Sequence, residues 1–86
     1  MQLNRLRTTD RVIGVKQSRR AIRDGLAKEV FLASDADPEL TAPLYAMCRR
    51  GNIPVVTQYT MRELGQAAGI QVGAAVAALL EMPPSI

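Results

Sequence analysis

Eighty-six residues make one small domain, which on general scaling buries only about 60–65% of its unfolded surface. No histidine and a single cysteine, Cys48, exclude an intrachain disulfide, a Cys/His zinc site and any Ser–His or Cys–His nucleophile pair. Net charge is +3, but residues 1–28 hold eight basic against two acidic side chains (+6), and residues 29–86 carry −3. Such segregation concentrates positive potential on one part of the surface and attracts polyanions.

In chain order, Leu3 and Leu6 permit a short helix in residues 1–10. The β-branched Arg11-Val12-Ile13-Gly14-Val15 predicts a first strand ended at glycine. A basic helical pattern follows at once. Lys16, Arg20 and Arg23 are spaced i, i+4, i+7 and form one cationic stripe, with Ile22 and Leu26 on a flank that can face a core. Gly25 is placed to cap that helix. Glu29-Val30-Phe31-Leu32-Ala33 is a continuous apolar run, as in a strand covered on both faces.

Asp37 with Pro38 reads as an N-cap and first helical position, and Leu40, Leu44, Met47 and Cys48 form the inner face of the second helix. Arg49 and Arg50 suit its last turn, and Gly51 ends it. Ile53-Pro54-Val55-Val56-Thr57 is a third short strand. Thr60 and Glu63 form a capping-box pattern for a helix closed by Gly69. Propensity makes the Ala-rich stretch from Ile70 to Leu80 a helix, but its full apolarity and its place in the alternation favour a buried strand. Residues 83–86 read as a loose tail on a single domain spanning residues 1–82. The expected fold is α/β, a three-layer α/β/α sandwich with a four-stranded mixed sheet.

The acidic Asp35, Asp37 and Glu39 are explained by capping and dipole compensation at a helix start, so no metal and no cofactor are expected. The glycines at 65, 69 and 73 do not match a dinucleotide fingerprint and suit close packing and a turn. No catalytic residues are expected. No apolar run approaches the roughly 20 residues of a membrane span, and the N-terminus lacks a signal-peptide core, so a cytoplasmic protein without a membrane partner is expected.

Three blocks then carry a resemblance: Gly14-Val15-Lys16-Gln17-Ser18-Arg19-Arg20, Val30 through Pro38, and Leu64 through Ala75. Together they resemble the kink-turn RNA-binding ribosomal protein family, which includes archaeal ribosomal protein seven-Ae and eukaryotic thirty-e, and its short bacterial members above all. The resemblance spans about residues 10–80. It implies a non-enzymatic protein that recognises an internal loop with tandem sheared G·A pairs and a sharp backbone bend. RNA readers favour such distorted places because the A-form major groove is too narrow for side chains.

By position, Lys16 and Gln17 would meet the G·A base edges, Arg20 would supply the basic group one turn later, and Gly14 would let the backbone approach. Arg19 and Arg23 would add phosphate attraction. Ile70, Gln71 and Val72 would pack on a nucleotide splayed from the bend; the alternative is that Ile70 caps a helix and Val72 opens a strand, both buried. Family members often carry asparagine-glutamate where this chain has Lys16-Gln17, and position 19 is commonly uncharged. The expected partner is a kink-turn in ribosomal RNA, a messenger leader or another structured RNA, bound by a protein that is a monomer when free. The alternative function is a protein-interaction or regulatory module with generic polyanion binding.

Overall fold

A computed structural model describes Leu6 and residues 10–81. The short N-terminal helix, Leu6 apart, and the C-terminal tail expected from sequence lie outside these residues. The elements are β1 (Arg11–Ile13), α1 (Val15–Arg23), β2 (Ala27–Leu32), α2 (Pro38–Arg50), β3 (Val55–Val56), α3 (Met61–Ala68) and β4 (Val76–Leu80). The strands form one mixed sheet in the order β1-β4-β2-β3. β2 and β3 are parallel, and β4 runs antiparallel to both β1 and β2. Three strands therefore point the same way, and the last is inserted against them.

The apolar runs of β2 and β4 are explained by helices on both faces. Val30 and Leu32 of β2 and Val76 and Ala78 of β4 point to one side, against Ala21 and Ile22 of α1 and Leu44 and Cys48 of α2. Phe31, Ala33, Ala77 and Leu79 point to the other, against Leu6 and Leu64 of α3. This is a three-layer α/β/α sandwich. Alanine in β4 loses its helical preference because the strand is central and bonds partners on both edges, and small side chains let both layers approach. The strand is shorter than its apolar run: residues 70–75 form a loop before Val76.

Helices α1, α2 and α3 end in the same way. Gly25 (φ 74°), Asn52 (φ 56°) and Gly69 (φ 78°) adopt the left-handed region. At each end the following amide reaches back five residues: Leu26 N to Ala21 O (2.9 Å), Ile53 N to Cys48 O (2.9 Å) and Ile70 N to Gly65 O (3.0 Å). Gly51 caps the end of α2 as expected, but at φ −92°, and the left-handed residue is the Asn52 that follows it. Leu26 and Leu40 do not join the core as their spacing predicted; they are 52% and 46% exposed. Leu26 lies beyond the end of α1, and Leu40 sits in the first turn of α2, so neither is covered by the sheet. Val15 belongs to α1 rather than β1, and the third strand shrinks to two residues because its ladder to β2 covers only Val55 and Val56.

Candidate nucleic-acid interface

Because β1, β2 and β3 share a direction, their C-terminal ends lie on one rim, and α1, α2 and α3 begin there. Loops at such a rim gather functional side chains from distant parts of a chain. The start of β4 reaches the same rim from the opposite direction. Backbone hydrogen bonds tie the pieces together: Gly14 N to Val76 O (2.8 Å), Ala33 N to Ala75 O (2.8 Å), Ser34 N to Tyr59 O (2.8 Å) and Ala74 N to Met61 O (3.0 Å).

At this rim α1 starts differently from its neighbours. Its N-cap is Gly14, with φ 108° and ψ 159°, no side chain caps it, and no acidic residue lies in its first turn. The first bond of the helix is from Ser18 N to Gly14 O (3.0 Å), so the amides of residues 15–17 precede it. Their partial positive charge is ready for an anion. Lys16, Gln17, Arg19, Arg20 and Arg23 are all exposed, whereas Ser18, Ala21 and Ile22 turn inward. The Gln17 carboxamide folds back over Gly14: a Cβ added there would stand 2.9 Å from Gln17 Oε1. Arg20 and Arg23 occupy the last turn, and Arg23 Nε contacts Asp24 Oδ1 at 3.2 Å on the open surface. Such an exposed pair is worth little and leaves Arg23 available to a phosphate.

The second part of the rim is the loop after α3. Gly65 is what seats it. A Cβ at Gly65 would lie 2.2 Å from the Val72 carbonyl oxygen, so the helix and loop backbones are in direct contact. Gly73 also packs on Met61, less tightly: a Cβ added there would stand 3.3 Å from the Met61 Cβ. Held from beneath, Val72 projects outward at 70% exposure and Gln71 is also exposed. Ile70 is half-buried against the Phe31 and Leu64 side of the core. Burial of Val72 as the first residue of a strand is therefore overturned, whereas Ile70 does serve as the apolar contact that closes α3. A depression of about 500 Å³ lies between this loop and Asp35, Met61 and Gln66.

Two side chains, Arg11 and Asp35, tie α3 to distant parts of the chain in ways that sequence reasoning did not assign. Arg11, counted among the basic charges, spends its guanidinium on the backbone: Nη2 donates to Ala68 O (2.8 Å), the end of α3, and Nε donates to Leu6 O. It is half-buried. Asp35 does not assist the start of α2; its Oδ1 accepts from Met61 N (2.8 Å) at the start of α3. No local pattern marks these contacts, because Arg11 and Ala68 meet across 57 positions and Asp35 and Met61 across 26. The caps that were local appear as expected. Asp37 Oδ1 accepts from Glu39 N (2.9 Å), and Thr60 and Glu63 form the reciprocal box. Cys48 is fully buried, and burial pushes its thiol pKa up, which keeps it protonated and inert.

Among the described residues no helix is long and apolar enough to cross a membrane. The sequence profile of the "Ribosomal protein L7Ae/L30e/S12e/Gadd45 family" matches residues 2–83. An RNA-binding protein of Geobacillus sp. strain WCH70 is 42% identical over 69 residues, covering 80% of this chain and 84% of that one. RNA-binding protein YbxF of Geobacillus stearothermophilus is 45% identical over the same length and shares. Among solved structures, the 15.5kD RNA binding protein of Giardia lamblia superposes with a TM-score of 0.87 at 26% identity, covering 94% of this chain and 72% of that chain.

Proposed function

Because this chain belongs to the ribosomal protein L7Ae/L30e/S12e/Gadd45 family, we propose that it is a non-enzymatic RNA-binding protein that captures the bent form of a kink-turn. The observation that carries this reading is the uncapped, cation-flanked start of α1, hydrogen-bonded through Gly14 to the strand that leaves the exposed 70–72 loop. Lys16 donates to guanine O6 or N7, and the Gln17 amide can both donate and accept at a sheared G·A edge. Gly14 lets the RNA backbone come close to the free amides. Val72, with Ile70 beneath and Gln71 beside it, offers an apolar surface to a base splayed from the bend. Arg19, Arg20 and Arg23 supply salt-dependent phosphate attraction. Binding only the kinked conformer shifts the RNA toward it by differential affinity, so the protein acts as a folding clamp. Lys16 and Gln17 in place of the more usual asparagine-glutamate raise the phosphate share of that affinity. The clamp works as a monomer in the cytoplasm.

A gel-shift titration against a kink-turn duplex and a copy with its G·A pairs replaced tests the reading. Tighter binding to the intact motif is expected; equal affinities would reduce the function to generic polyanion binding. Gln17→Ala should weaken binding to the kink-turn selectively, whereas Arg23→Ala should weaken all RNAs alike. A second reading, a protein-interaction module, is favoured by Leu40 and Tyr45, which stand 46% and 42% exposed along α2. Partners retained in a pull-down after nuclease treatment would support it.

A further inference from the structure

From the α1 start at the rim, where Lys16 and Gln17 line it, a groove of about 320 Å³ runs between α1 and the sheet toward the far end of the helix. Its floor is apolar: Val12 of β1, Leu80 of β4, and Leu26 just beyond α1. Leu26 is a rigid part of that floor although its side chain is 52% exposed. Its N–H donates to Ala21 O (2.9 Å), and its carbonyl accepts from Glu81 N (2.8 Å). Lys16, Arg20 and Asp24 border the groove. Spaced by four, they form one row along the helix, about 12 Å from end to end at the helical rise. The row is cationic at the α1 start and anionic at its end.

That polarity excludes simple ligands. A lone phosphate has no use for an apolar floor, and an acidic peptide lying along the row would meet Asp24. A nucleotide has the matching order: a phosphate, a flat apolar face, and a polar edge. We propose that this groove receives the base of one unpaired guanosine of the bound RNA. Lys16, whose ammonium has three donors, also reaches this nucleotide's phosphate, and the face of the Arg20 guanidinium, whose N–H edge stays free for phosphate, covers one face of the base, the usual way Arg meets an unstacked base. Leu26, Leu80 and Val12 support the other face. The Asp24 carboxylate accepts from guanine N1–H and N2–H, an adjacent pair of donors that neither adenine nor uracil presents. The Arg23 contact to Asp24 Oδ1 leaves lone pairs on both oxygens for this, since a carboxylate has about four acceptor sites.

The proposal rests on α1 being an RNA-binding element, but it does not need a kink-turn, and its test contains none. The full chain, labelled at methyl groups, is titrated with the single-stranded tetramers UUGU, UUAU and UUUU and with guanosine 5′-monophosphate. UUGU should move the Val12, Leu26 and Leu80 methyl signals and bind about tenfold tighter than UUUU or UUAU, the discrimination of one good bidentate contact. Asp24→Asn should erase that difference, and Leu26→Ala should weaken UUGU without restoring it to UUUU. Equal affinities for UUGU and UUUU, or unmoved methyl signals, would overturn the proposal. Binding of the mononucleotide as tight as that of UUGU would overturn RNA as the source of the base. Failure here leaves the kink-turn titration unaffected, so the two readings fail separately.

Discussion

Two of the three helices that start at the rim are closed by their own chemistry, and one is left open. The first amides of α2 are met by Asp37, and those of α3 by Thr60, with Asp35 adding a bond from 26 residues away. α1 begins at a glycine with no side chain to offer, no acid in its first turn and a lysine at its second position. A glycine at the N-cap forgoes about a few tenths of a kcal/mol that Ser, Thr, Asp or Asn would contribute, and it leaves the first amides without a side-chain partner. The fold supplies good caps twice, so their absence at α1 marks the one start where stability is sacrificed and an outside anion can complete the turn.

The comparison is broken most severely at the seat of the loop. Gly65→Ala forces a methyl group into the Val72 carbonyl, where only 2.2 Å is available, and both sides are backbone. Denaturant unfolding should register a loss of about 3 kcal/mol or more, since a rigid overpacked site has no flexible neighbour to yield. Gly14→Ala comes next, with an expected cost of about 1–3 kcal/mol from the positive φ alone. The Gln17 amide 2.9 Å away can swing aside, so strain rather than collision sets the size. The variant should also bind RNA more weakly in a gel shift, because the added methyl group stands where the nucleic acid approaches.

Thr60→Ala sharpens the contrast at a closed start. It should lower the melting free energy by about 1 kcal/mol through loss of the cap, yet leave RNA affinity at the wild-type value. The smallest effect on stability is the most informative. Lys16→Glu places a carboxylate in the first turn of α1 and should stabilise the fold by about 0.3–1 kcal/mol through the helix dipole. The same change should weaken RNA binding and flatten the salt dependence of log K by about one contact, a slope change of roughly 0.7–0.9. Opposite signs in thermal melting and RNA titration would identify α1 as the start shaped for a ligand; a loss in both would make Lys16 a structural residue.

The order of elements, the caps of α2 and α3 and the double-faced burial of β2 are all legible in the sequence. Each rests on residues within a turn or a strand of one another, where spacing and residue type decide the outcome. The basic face of α1 is legible for the same reason, as is the left-handed cap at Gly25. Tertiary structure alone decided that β4 enters between β1 and β2 against their direction. That pairing brings Gly14 to Val76, and with it α1 to the strand leaving the 70–72 loop. It also decided that Arg11 serves a helix end, that Asp35 serves α3 rather than α2, and that Leu26 and Leu40 stay outside the core. Hydrogen bonds and contacts between residues tens of positions apart have no periodicity to betray them. They exist only because a shared core fixes where the strand ends meet.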